Sequence, residues 1–152
     1  MLCVSEIMSS GVWSCPSTAT LDQAIEMMAS RGCSSIPVVD DNNKPVGIIT
    51  DRDITMYINL KHQSPWDIRL SQFTKGRHIY CCYEQDDIQD ALKKLRERHI
   101  HRLPVLDDND KLVGIVTMND VIQRAEESDA ADLSYKDVVE TLKAVSKHYR
   151  NT

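Results

Sequence analysis

With 152 residues, 41% hydrophobic and 27% charged, the chain has the make-up of an ordinary soluble globular protein, either one compact domain or two small halves sharing a core. No apolar run approaches membrane-spanning length, and the start MLCVSEIMSS lacks a charged region followed by an apolar one, so the expected location is the cytoplasm, with no membrane partner. A net charge of −5 gives no general basic footprint for nucleic acid, and five cysteines without a CxxC pair suit a reducing compartment and suggest no metal site.

In chain order, VWSC (12–15) predicts a short strand entered from a polar stretch. LDQAIEMMASR follows, with Leu21, Ala24, Ile25 and Met28 at the i, i+3, i+4, i+7 spacing of an amphipathic helix. IPVVD and KPVGIIT flank the turn-forming DNN and read as a β-hairpin, and a helix starts at Thr50. NLKHQSPWDIR (59–69) has the mixed polarity of a linker. IYCC (79–82) then predicts a second short strand, in which Cys81 and Cys82 point to opposite faces, an arrangement that disfavours a shared metal.

Ile88, Ala91, Leu92 and Leu95 repeat the helical stripe, LPVLD and KLVGIVT repeat the hairpin around DND, and another helix starts at Thr117. KKLRERHIHR (93–102) is a basic stretch with two readings, a solvated helix face or a helix end that points cations at an anionic ligand. After AEESDAADLS, the tail YKDVVETLKAVSKHYR carries one apolar stripe of Val138, Leu142, Val145 and Tyr149, predicting a helix that docks on the domain or on a twin chain.

The halves are a duplication. At an offset of 67 residues, IPVVDDNNKPVGIITDRDI (Ile36–Ile54) aligns with LPVLDDNDKLVGIVTMNDV (Leu103–Val121), with 11 of 19 positions identical. An offset of 66, implying one inserted residue, pairs VSEIM with LSQFT. The predicted fold is α/β (α+β), with a β-α-β-β-α unit at 1–58, a linker at 59–69, a second unit at 70–127 and a tail helix at 128–152.

Each unit ends in Gly-x-x-Thr-x-x-Asp. Locally, Thr50 with Asp53, and Thr117 with Asp120, make a capping box in which hydroxyl and carboxylate each accept a backbone N–H at a helix start. Such a cap contributes about 1 kcal/mol and requires no ligand. The chemical reading uses the same side chains. A carboxylate in a first helical turn can accept from both ribose hydroxyls, while the helix terminus suits a phosphate. Ile36-Pro37 and Leu103-Pro104 would supply apolar walls for a flat base.

These residues, in duplicate and in this order, resemble a cystathionine β-synthase (CBS) domain, and the tandem resembles a CBS pair, or Bateman module, over about residues 4–124. The resemblance implies repeats packed by pseudo-twofold symmetry through their sheets. It also implies clefts between them for adenosine-containing ligands such as AMP, ADP, ATP, S-adenosylmethionine or NAD-type molecules. The family's sugar-binding Asp falls on Asp53 and Asp120, its Thr on Thr50 and Thr117, and its base-contacting strand on Ile36, Pro37, Leu103 and Pro104. Its early position against the base falls near Val12 and Ile79. The family also implies a homodimer forming a four-repeat disk, and an output through an unidentified regulated protein.

The copies differ beside the motif. Ser34-Ser35 in the first corresponds to His101-Arg102 in the second, and Arg52 corresponds to Asn119. Arg102 either brings a phosphate donor to the second site or extends the basic helix end into solvent. No nucleophile elbow, HExxH or P-loop is present, so the chain is expected to be no enzyme and to need no cofactor. The expected function is regulatory ligand sensing. Two alternatives are a purely structural dimerisation module with empty clefts, and a thiol or metal sensor using Cys33.

Overall fold

A computed structural model describes residues 1–147; Tyr149, the last position of the predicted tail stripe, lies outside them. The elements begin with a 3-10 turn at Val4–Glu6, strands β1 (Ser9–Ser10) and β2 (Cys15–Pro16), and helix α1 (Leu21–Arg31). Strands β3 (Ser35–Val39) and β4 (Pro45–Thr50), helix α2 (Asp51–Lys61), a 3-10 turn at Pro65–Asp67 and helix α3 (Leu70–Thr74) follow. The remainder is β5 (Cys82–Tyr83), α4 (Ile88–Arg98), β6 (Arg102–Leu106), β7 (Leu112–Thr117), α5 (Met118–Arg124) and α6 (Tyr135–Ser146).

The chain forms two compact units, one of Trp13–Ile79 and one joining Met1–Val12 to Tyr80–Thr152. The repeat boundaries drawn from the duplication differ from this division at the leading segments. Residues 4–8 of the first copy belong to the unit that carries the second Thr-x-x-Asp, and residues 70–79 belong to the unit that carries the first.

In the Trp13–Ile79 unit a three-stranded sheet runs β2-β3-β4, parallel then antiparallel, with Ile36 opposite Ile49 and Ser35 opposite Thr50. Its core is Leu21, Ala24 and Met28 of α1, Ile36, Val38 and Ile49 of the sheet, and Ile54, Ile68, Leu70 and Phe73. The periodic stripe read from the sequence is the face that enters this core. Helix α1 occupies the predicted span because both its ends are marked. The Thr20 amide donates to Gln23 Oε1 at 2.9 Å, and Gly32 takes the left-handed C-terminal position at φ 65°.

The other unit has the same plan with one more strand. Its sheet runs β1-β7-β6-β5, with Leu103 opposite Val116 and Arg102 opposite Thr117. The hairpins of both units shift register at matching places, Val38/Val39 and Val105/Leu106. The added strand, β1, pairs antiparallel with β7 through Ser9–Ile115 and Ser10–Gly114.

The predicted strands VWSC and IYCC are shorter than expected. Only Cys15 and Cys82 of these runs enter a ladder, because the aromatic residue of each run is held elsewhere. Arg31, in the last turn of α1, stacks over exposed Trp13 at 3.5 Å, and Arg98, in the last turn of α4, over Tyr80 at 4.7 Å. Both cysteines are buried, and loss of hydration raises their thiols above the usual range, Cys82 to about 12. Neighbouring Cys81 is raised to about 11, again chiefly by desolvation.

The tail helix docks on its own unit. Val138, Thr141 and Val145 of α6 are buried, and Arg96 of α4 donates to Thr141 Oγ1 at 3.1 Å. Gln89 donates to the Asp132 carbonyl at 2.8 Å and to Asp137 Oδ2 at 3.1 Å, so α4 is tied along its length to the tail. Part of the basic stretch is therefore structural. Arg96 faces α6, Lys94 donates to the Cys81 carbonyl at 2.9 Å, and Lys93 pairs with Glu97 at 3.9 Å on the surface.

Candidate functional site

Each Thr-x-x-Asp forms where an antiparallel strand runs straight into a helix. Thr50 stays extended at φ −113° and ψ 163°, so its hydroxyl faces the first turn of α2. The Asp53 amide donates to Thr50 Oγ1 at 3.1 Å, and the Thr50 amide donates to Asp53 Oδ2 at 3.1 Å. In the second copy the Asp120 amide donates to Thr117 Oγ1 at 3.3 Å, and Asp120 Oδ2 accepts from the Thr117 amide at 2.8 Å and from the Thr117 hydroxyl at 2.9 Å. Both capping boxes predicted from the sequence are thus complete.

The cap uses Oδ2 of each carboxylate. Oδ1 meets a side chain that the spacing argument did not pick out. Ser9 Oγ donates to Asp120 Oδ1 at 3.2 Å, whereas an Arg77 guanidinium nitrogen lies 4.0 Å from Asp53 Oδ1. Ser9 and Arg77 both come from the leading segments, where the copies differ by one inserted residue. A comparison of SSG with KGRH across that insertion carried the only signal for them.

The glycines opening the motif explain how those segments come so close. A Cβ on Gly47 would lie 2.6 Å from Thr74 Cγ2, and one on Gly114 would lie 2.5 Å from Met8 Sδ and 2.9 Å from the Ser9 carbonyl oxygen. Each strand therefore lacks a side chain where the leading segment crosses it.

The remaining candidates fall in different surroundings. Ile36 and Leu103 are fully buried in the cores of their own units. Strand alternation puts Pro37 and Pro104, also buried, on the opposite face, level with Ile48 and Ile115. Arg52 is exposed on the first turn of α2, and half-buried Arg102 lies opposite Thr117. Val12 is half-buried in the unit of Thr117 and Asp120, and Ile79 half-buried in that of Thr50 and Asp53. Among the described residues no three His, Cys, Asp or Glu side chains gather as metal ligands, and no helix is long and apolar enough to cross a membrane.

A mixed α/β chain of two such units, each ending in a capped Thr-x-x-Asp behind an antiparallel hairpin, defines a tandem-repeat class. The CBS domain family model matches residues 4–60 and 74–127, and the chain belongs to the CBS domain family. Protein MK0525 of Methanopyrus kandleri is 31% identical over 106 residues, covering 70% of this chain and 54% of that protein. The inosine-5′-monophosphate dehydrogenase of Methanocaldococcus jannaschii is 33% identical over 112 residues, covering 74% of this chain and 21% of that enzyme. The chain thus spans about half of one relative and a fifth of the other.

Among solved structures, Hypoxic Response Protein I with two coordinated zinc ions superposes with a TM-score of 0.75 at 26% identity, covering 82% of this chain and all of that one. The CBS domain pair of protein MJ0100, in complex with 5′-methylthioadenosine and S-adenosyl-L-methionine, gives a TM-score of 0.68 at 25% identity, covering 81% and 94%.

Proposed function

We propose that the chain is a regulatory module that senses an adenosine-containing ligand, drawn from AMP, ADP, ATP, S-adenosylmethionine or NAD-type molecules, and signals through a partner protein or an oligomer. The observation that carries this reading is the divided use of the two carboxylates. Asp53 and Asp120 each commit Oδ2 to the cap, while Oδ1 meets an exchangeable partner, the Arg77 guanidinium in one copy and the Ser9 hydroxyl in the other. A ribose diol donating to Oδ1 would thus leave the helix start capped. The MJ0100 pair, which holds two adenosine derivatives, supports the ligand class. Thr50 and Thr117 keep the carboxylates in place, and Pro37 and Pro104, on the face away from the cores, would line the approach of the base.

The role proposed is regulatory rather than catalytic; at the motif the polar side chains form two caps, an ion pair and a serine hydrogen bond. The test is calorimetric titration of nucleotide-stripped protein with AMP, ATP, S-adenosylmethionine and NAD. At least one ligand should bind, and Asp53→Ala or Asp120→Ala should weaken it by roughly tenfold or more while costing about 1 kcal/mol of stability through the lost cap. Silence across the whole panel would leave the structural-module alternative standing.

A further inference from the structure

The two carboxylates are capped alike and faced differently. The partner of Asp120 Oδ1 is a neutral hydroxyl, Ser9 Oγ, whereas Asp53 Oδ1 faces the guanidinium of Arg77. Arg77 is positioned by more than the carboxylate. Its guanidinium carbon lies 4.0 Å from the centroid of the Phe73 ring, and Phe73 is 2% exposed and packs edge-on against Tyr57. Gly76, at φ 74°, turns the chain after α3, and the Arg77 amide donates to the Thr74 carbonyl at 3.1 Å. A buried ring and a tight turn therefore hold the cation beside the carboxylate.

The ion pair itself is weak. Its side chains are about half and one-third exposed and meet at 4.0 Å, a geometry that solvent largely screens. A ligand diol that donates to Asp53 Oδ1 takes the acceptor that Arg77 faces, while the ring keeps the guanidinium nearby. A neutral ligand would give that cation no charge beyond the carboxylate it already faces at 4.0 Å, and a cationic ligand would add repulsion. A phosphate would add a second anion within reach and match the planar donors of arginine.

We infer that Arg77 makes the Thr50–Asp53 site selective for phosphorylated adenosine ligands over neutral or cationic ones, a selectivity that rests on the adenosine-sensing reading and that Ser9 does not provide at the matching place. At the second copy the matching carboxylate oxygen meets the neutral Ser9 hydroxyl instead.

The test titrates the full chain carrying Asp120→Asn, which isolates the first site, with AMP and with adenosine. Each ligand is measured with Arg77 and with Arg77→Gln, at low and high salt. With Arg77 present, AMP should bind at least about tenfold tighter than adenosine, and the Gln variant should lose about tenfold for AMP only. It should also lose most of the salt dependence, which a merely structural role would not alter. Equal losses for both ligands, or unchanged AMP binding, would overturn the role of Arg77 and leave sensing intact. Binding by the wild-type chain that vanishes with Asp120→Asn overturns it too, by placing the ligand at the second copy alone. No binding of either ligand to the wild-type chain overturns the role of Arg77, while sensing itself falls only if S-adenosylmethionine, ATP and NAD are silent as well. Should the Gln variant unfold, Arg77→Lys retains the charge and must still prefer AMP; loss of that preference overturns the proposal.

Discussion

At Gly47 and Gly114 the side chain that matters is the missing one. Hairpin strands otherwise rich in branched residues carry glycine where Thr74, or Met8 and Ser9, crosses within 3 Å of the place a Cβ would occupy. The two positions should not respond alike. At Gly47 the obstacle is the buried side chain of Thr74 alone, its Cγ2 with Cβ behind it at 3.3 Å, but at Gly114 it includes the Ser9 carbonyl, a backbone atom. Gly114→Ala is therefore expected to cost about 1–3 kcal/mol and Gly47→Ala less, measured by urea denaturation. Only part of this was legible beforehand. Thr50, Asp53, Thr117 and Asp120 were readable as caps because a cap is a local device with fixed spacing. Ser9 and Arg77 were not, because they reach the carboxylates across 111 and 24 residues of chain, from segments whose alignment is broken by an insertion.

Helices were easier to read than strands. The 3.6-residue stripes of α1 and α4 follow from burying one face, and both helices occupy eleven residues with a left-handed residue at the C-terminal end. The short strands β2 and β5 were overestimated because alternation in a four-residue run also fits an extended segment whose aromatic stacks under an arginine. The tail stripe gave the buried face of α6 but not its partner, since an amphipathic pattern shows that a face is covered and not by what. The structure supplies α4, through Val145 at 0% exposure and the Arg96–Thr141 hydrogen bond. Val145→Ala should destabilise the unit by about 2 kcal/mol, and Val139→Ala, on the exposed face of the same helix, by under about 0.5 kcal/mol. Paired chemical denaturation curves would distinguish them.

Across the whole chain, the order of residues and the grouping of residues disagree. Leu2 and Val4 stand at the start of the first copy, yet they fill the core around Leu92, Leu103 and Val116 of the second. The Val4 amide donates to the Asp86 carbonyl at 2.9 Å, and the Ile88 amide donates to the Leu2 carbonyl at 2.8 Å. Removing residues 1–8 should therefore loosen the second hairpin more than the first. Amide exchange in β6 and β7 is expected to speed up by about tenfold or more, with β3 and β4 changed less, as read by mass spectrometry of peptic fragments. The mirror-image borrowing is seen in Leu70 and Phe73, which open the second copy, and in Ile68 just before it; all three complete the core of the first. A gene encoding one copy alone would therefore specify a body without its own closing piece, and two such products could be whole only by trading their opening residues. Duplication placed both sides of that trade on a single strand of peptide, so neither copy can be cut away without leaving its sibling unfinished.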